Sequence, residues 1–194
     1  GKSTTTLLLH HILDVAGWNP LLGGNLGGIE TVSLLPEITP DRWTVLELGN
    51  WMREGLHTVR RSPQLSVFNN LLPDHLDSYD SMEDYGQAKT SICRYQRAGD
   101  LALFNADNDY TLRYAAEAGG ADVWLYSAVR GVSYPRDRPT ETQPFRYADA
   151  IRLRGAHNLA NVQAATLAAE LLGIPEEVIR AGVESFGGVP HRLE

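Results

Sequence analysis

The feature that most constrains this chain is a succession of short, continuously apolar runs, each too brief for a helix. "WTVLEL" (43–48), "LSVFN" (65–69), "LALFN" (101–105) and "DVWLY" (122–126) have strand length and lack alternating polar positions. Around them lie segments with helical character: 2–15, which Gly17 stops, then 81–96, 109–118, 158–172 and 175–186, the last with Pro175 in its first turn. Strands that are apolar on both faces need cover on both faces, and alternation with helices supplies it. The expectation is an α/β fold in three layers, its mostly parallel sheet covered by helices on both faces. "GGNLGG" (23–28) reads as a turn and "YPRDRPTETQP" (134–144) as an exposed loop.

At 194 residues and 43% hydrophobic content the chain can bury a sizeable core in one domain. A formal charge of −7 is the wrong balance for a nucleic-acid surface, which needs a clustered basic face. No apolar run approaches the ~18 residues that span a bilayer, and no signal peptide is visible. The single cysteine, Cys93, excludes an intramolecular disulfide framework and suits a reducing compartment. These traits point to a cytoplasmic globular protein without nucleic-acid partners or membrane insertion. The chain opens on "GKSTTT" without an initiator methionine and closes on "VPHRLE", as expected of a middle piece of a longer protein.

The opening "GKSTTT" matches the second half of a phosphate-binding loop, G-x-x-x-x-G-K-[ST], and an apolar helix follows it as that loop requires. In such a loop, backbone N–H groups at a helix start cradle phosphate, the lysine reaches the terminal phosphates and the hydroxyl binds Mg²⁺. Gly1, Lys2, Ser3 and Thr4 are the candidates, and a plain charged helix start is the alternative. Glu47 interrupts a buried strand, where a carboxylate must be paired, hydrogen-bonded or bound to metal. Other strands also end on polar residues: Asn69 with Asn70, and Asn105 followed by Asp107. Ligands of open parallel sheets sit outside the carboxyl ends of the strands. For Asn105 and Asp107, capping of the next helix is the preferred reading.

The helix expected from Ser81 raises a separate question. Ser81 with Asp84 forms a capping-box start. At 100° per residue Met82, Tyr85, Ile92 and Cys93 share one stripe, while Glu83, Gln87, Thr90, Ser91, Arg94 and Arg97 lie opposite. Lys89 falls in the middle of the apolar stripe. One reading buries its stem and lets its head reach water. The other has CO₂ carboxylate the amine, turning a cation into an anionic oxygen ligand near Glu47 and His75. A lone histidine such as His75 is ordinarily a hydrogen-bonded structural residue or a cap.

"GKSTTT", "GGNLG", "LEL", "NLLPDHLDSYDSMEDYGQAK", "GAHNLANVQAA" and "GGVPHRLE" occur in the order and spacing of the Mur ligases, and the chain resembles that family over its full length. The resemblance implies the central ATP-binding domain, P-loop NTPase-like in fold, at 1–186, lacking its first strand and the start of the phosphate loop. It implies a hinge at 187–194 leading into a further domain. "GGNLG" and "PHRLE" favour the member that adds glutamate to UDP-N-acetylmuramoyl-L-alanine, using ATP and Mg²⁺ at two sites, through an acyl phosphate. The full-length protein is then expected to be monomeric, and this piece alone inactive. By the same resemblance Lys2 holds terminal phosphates, and Ser3 and Glu47 bind the ATP-linked Mg²⁺. His75 and a CO₂-derived carbamate on Lys89 bind the second metal, and Asn25 contacts the muramoyl-alanine substrate. Asn158 and Asn161, with His157 beside them, resemble adenine-side contacts, for which capping and helix packing are equal alternatives; Arg192 resembles a phosphate contact. Where the family usually has serines after "LEL", this chain reads Gly49-Asn50-Trp51-Met52. Another Mur-type ligase (L-glutamate-adding or folylpolyglutamate-forming), a non-ligase P-loop ATPase or kinase, and a non-catalytic interaction domain are the alternatives.

Overall fold

A computed structural model describes residues 1–27, 31–71, 81–153 and 155–188. In chain order the elements begin with α1 (Lys2–Val15), β1 (Leu21–Gly24), a 3-10 turn (Thr31–Glu37), β2 (Thr44–Glu47) and α2 (Asn50–Val59). Next come β3 (Leu65–Phe68), α3 (Met82–Lys89), α4 (Ser91–Arg94), β4 (Leu101–Asn105) and α5 (Asp109–Tyr114). The series ends with β5 (Asp122–Ser127), β6 (Val132–Pro135), β7 (Gln143–Pro144), α6 (Ala156–Leu171) and α7 (Glu176–Ser185). They form two compact units: Gly1–Leu48 with Phe145–Glu194, and Gly49–Pro144. The α/β class with a mostly parallel sheet flanked by helices is as expected.

In the first unit β1 and β2 pair in parallel, with Gly24 opposite Glu47. Leu8, Leu9, Ile12 and Leu13 of α1 are buried, on a helix that packs against α6 and α7. Each such side chain contributes about 1.5–3 kcal/mol of transfer free energy. The alanines of α6, Ala164, Ala165, Ala168 and Ala169, are fully buried, which lets the two backbones approach closely. Gly17 ends α1 at φ +79°, as its position predicted.

The second unit holds a five-stranded sheet in the order β3-β4-β5-β6-β7. β3, β4 and β5 run parallel, and β6 and β7 are antiparallel. Its core gathers Phe68, Leu71, Tyr85, Cys93, Phe104, Tyr114 and Leu125, with the Phe68 and Phe104 rings stacked 5.6 Å apart.

Several expectations are corrected. Gly23 and Gly24 belong to a strand and not to a turn, because the segment from Leu21 pairs with β2. The stretch 134–144 is a loop only at its centre: its ends complete β6 and β7, which lie at the sheet's antiparallel end. Helix α2 was not anticipated, although Met52, Leu56 and Val59 have helical spacing. Thr90 and Ser91, placed on the outward face, are fully buried, since α2 packs against α3 and α4 and Ser62 Oγ donates to Ser91 O at 2.7 Å.

Candidate functional site

Glu47 ends β2 with only 3% of its surface exposed. A bare carboxylate at that depth is too costly to survive without partners. Its partners come from the first unit. Ser3 Oγ, in the first turn of α1, donates to Glu47 Oε2. Asn25, directly after β1, donates its Nδ2 to Glu47 Oε1 at 3.4 Å and its backbone N–H to Glu47 O at 2.6 Å. Ser3 and Glu47, which the resemblance assigns to the metal, and Asn25, which it assigns to the substrate, are thus joined by direct hydrogen bonds. The two side-chain donors are neutral, and among the described residues no ion pair reaches Glu47.

This donor set fits a hard divalent cation. Mg²⁺ takes carboxylate and hydroxyl oxygens, and Glu47 and Ser3 offer one of each side by side. Beside them, the N-terminus of α1 presents the positive end of the helix dipole, which suits phosphate. Gly1 caps that helix without a side-chain bond, Lys2 is exposed and Thr4 is half-buried.

The β1–β2 register explains how Asn25 reaches the carboxylate. Gly24 has φ +93°, and a Cβ there would lie 2.1 Å from Glu47 O. Only glycine lets the two backbones meet so closely while the chain turns. Thr31 Oγ1 accepts the Gly24 N–H at 2.8 Å from seven residues away.

Asn158 and Asn161 lie near the start of α6, both buried. Asn161 Nδ2 donates to Asn158 Oδ1 at 3.1 Å, and Thr5 Oγ1 of α1 donates to Asn161 O at 3.3 Å. Both asparagines belong to the same unit as α1. His157 is exposed.

In the second unit Ser81 caps α3, accepting from Asp84 N at 3.1 Å and donating to Asp84 Oδ2 at 2.8 Å. Lys89 is the last residue of α3 and is 8% exposed, with its Nζ 4.1 Å from the centre of the Tyr85 ring. The stem is therefore buried, as both readings of this lysine expect. Sequence reasoning overlooked Tyr85 as the ammonium's neighbour, although i and i+4 positions share a helix face. Burial pushes the Cys93 thiol, on the same stripe, up to about 12.

At the ends of β4 and β5 the polar residues serve structure. Asn105 Oδ1 accepts from Asp107 N at 2.9 Å, and Asp107 accepts from Ser127 Oγ and Val129 N. The cap of α5 is Asn108, whose Oδ1 accepts from Thr111 N at 3.0 Å, and not Asn105 or Asp107. Gly49, standing where the resemblance leads one to expect a serine, caps α2 without a side-chain bond. His75 and Arg192 lie outside the described residues. Among the described residues no group of three or more His, Cys, Asp or Glu gathers as a metal cluster. No described helix is long and apolar enough to cross a membrane.

The chain is 39% identical over 203 aligned positions to a UDP-N-acetylmuramoylalanine–D-glutamate ligase of Acetivibrio thermocellus, and 37% identical to the ligase of that name from Acidobacterium capsulatum. All of this chain is covered in both alignments, but only 42% and 44% of those relatives, so it spans under half their length. In fold it is similar to a crystal structure of MurF from Acinetobacter baumannii, at a TM-score of 0.74 and 20% identity over 100% of this chain and 46% of that one. A structure of a UDP-N-acetylmuramoyl-L-alanyl-D-glutamate–2,6-diaminopimelate ligase gives 0.70 and 16% over 98% of this chain and 45% of that one. The Mur ligase middle domain model matches residues 1–169, a range that includes α1, β1 and β2: the chain belongs to the Mur ligases.

Proposed function

We propose that this chain is the central nucleotide-handling part of an ATP-dependent ligase that adds D-glutamate to UDP-N-acetylmuramoyl-L-alanine in peptidoglycan precursor synthesis. One observation carries the reading: Ser3, Glu47 and Asn25 converge where a helix N-terminus meets the carboxyl end of a parallel strand. That is where a phosphate loop and its metal carboxylate belong. The names of the 34–39% identical relatives supply the amino acid and the acceptor.

In this reading residues 1–186 form the ATP-handling domain and 187–194 begin a hinge. Gly1, Lys2, Ser3 and Thr4 hold the phosphates, Lys2 lending its charge to the terminal ones. Ser3 and Glu47 would hold the ATP-linked Mg²⁺, and His75 and a Lys89 carbamate would hold a second. Bound there, Mg²⁺ would neutralise charge between the γ-phosphate and the carboxylate that receives it. Asn25 orients the muramoyl-alanine, Asn158 and Asn161 border the adenine, and Arg192 contacts phosphate. The substrate carboxylate takes the γ-phosphoryl group, and the amine of glutamate displaces phosphate from the acyl phosphate to form the amide. The protein works as a cytoplasmic monomer on small-molecule substrates.

The test uses the full-length protein. ADP release should require UDP-N-acetylmuramoyl-L-alanine and D-glutamate together, with L-glutamate a poor replacement. ATP hydrolysis indifferent to both substrates would make it a P-loop ATPase instead; a preference for L-glutamate would move it to another Mur-type ligase. The isolated chain should form no product.

A further inference from the structure

Asn25 can hold Glu47 only if the backbone just before it keeps one conformation. That backbone is Gly24, in the left-handed region at φ +93°. Gly24 belongs to β1, an end position whose N–H has a side chain as its acceptor. That acceptor is Thr31 Oγ1, at 2.8 Å, and the same hydroxyl lies 3.4 Å from Gly24 O as a donor. The Thr31 methyl would meet a Cβ on Gly23 at 3.5 Å, so the side chain packs on β1 as well as bonding to it. Thr31 begins the 3-10 turn.

We propose that Thr31 is a positioning residue: its hydroxyl clamps Gly24 in the turned conformation that aims Asn25 at Glu47. The inference rests on the reading of Asn25 as a substrate contact and Glu47 as the magnesium carboxylate. Glycine has the widest conformational freedom of any residue, so an unclamped Gly24 would let the Asn25 amide leave Glu47 Oε1. Threonine is suited to the clamp because one hydroxyl both accepts and donates, while its branched methyl fixes χ1 against the strand.

The test compares Thr31→Val, which keeps the shape and loses both hydrogen bonds, with Thr31→Ser, which keeps the hydroxyl. In the full-length protein Thr31→Val should raise KM for UDP-N-acetylmuramoyl-L-alanine about tenfold, the scale of one lost, partly buried hydrogen bond. KM for glutamate should stay within about twofold, since glutamate binding is assigned to none of these residues. Thr31→Ser should stay within about twofold of the parent throughout, even where its melting temperature falls. By calorimetry Thr31→Val should also bind Mg-ATP more weakly, and Thr31→Ser should not. A Thr31→Val protein with parental KM and parental Mg-ATP affinity overturns the clamp, as does a Thr31→Ser protein impaired as badly as Thr31→Val. If the parent makes no amide, the ligase reading fails, and Mg-ATP affinity alone decides the clamp.

Discussion

Lys89 is a costly residue in its position. Its amine lies at the C-terminal end of α3 against the face of Tyr85, with the residue 8% exposed. The negative end of a helix dipole and an aromatic face both favour a cation there, by roughly 0.5–2 kcal/mol each. Those contacts account for a structural lysine, and arginine would satisfy them nearly as well. They separate two outcomes. If Lys89 acts as a carboxylated metal ligand, Lys89→Arg in the full-length protein should lose nearly all ligase activity, and a small carboxylate such as acetate should restore part of it to Lys89→Ala. An Arg variant with near-parental turnover would leave the lysine a packing residue. Glu47 poses the inverse problem, a buried anion among neutral donors. Its position inside "TVLEL" made it visible in the sequence, because a charge in an apolar run has few explanations. Thr31 was not visible, because nothing in its neighbours announces that its hydroxyl returns to Gly24.

Among the elements, α3 shows how one glycine sets a packing distance. A Cβ on Gly86 would lie 2.2 Å from the Tyr114 ring, whose hydroxyl donates to Glu83 O at 3.2 Å on the same helix. The ring of α5 therefore rests on the α3 backbone itself. Gly86→Ala gains helix propensity of about 1 kcal/mol but must push that ring away, and overpacking typically costs 1–3 kcal/mol. A net loss of stability in urea unfolding is expected, with Tyr114→Leu in the same background recovering part of it. A Gly86→Ala protein more stable than its parent would show that the ring yields freely. The start of this helix was legible from Ser81 and Asp84, since capping is a local matter. That Thr90 and Ser91 are buried was not legible, because α2 covers a face whose composition looks solvent-exposed.

At the scale of the whole molecule the chain leaves its first unit at Leu48, builds the second and returns at Phe145. The returning segment is fastened to the first unit by charges and one tyrosine. Arg146 pairs with Glu176 at 3.1 Å, Arg180 grips Asp149 at 3.0 Å and donates to Arg146 O, and Tyr147 donates to Glu170 Oε1 at 3.0 Å. The paired residues are substantially exposed, so each pair stabilises little. Glu170 is different: burial raises its carboxyl pKa above the ordinary value. A carboxyl raised in the folded state binds its proton more tightly there than when unfolded. Its contribution is full below the unfolded value near 4.5 and is lost as pH rises through the folded one. Relative to Glu170→Gln, the parent should lose unfolding free energy as pH rises above 4.5, measured by urea titration at each pH. A difference that is flat or rises with pH would contradict the burial argument.

The sequence by itself determined the α/β class, the helix that follows Gly1, the strand cores and the candidate carboxylate. Those features depend on periodicity, capping and the cost of isolated charge, all of which act over a few residues. Tertiary structure alone decided that Gly23 and Gly24 form a strand, that β6 and β7 complete the sheet and that Asn158 pairs with Asn161. It also decided that Ser3, Asn25 and Glu47 meet. Their separations run to 44 residues, and whether such groups touch is set by strand register and helix packing. No local pattern encodes that.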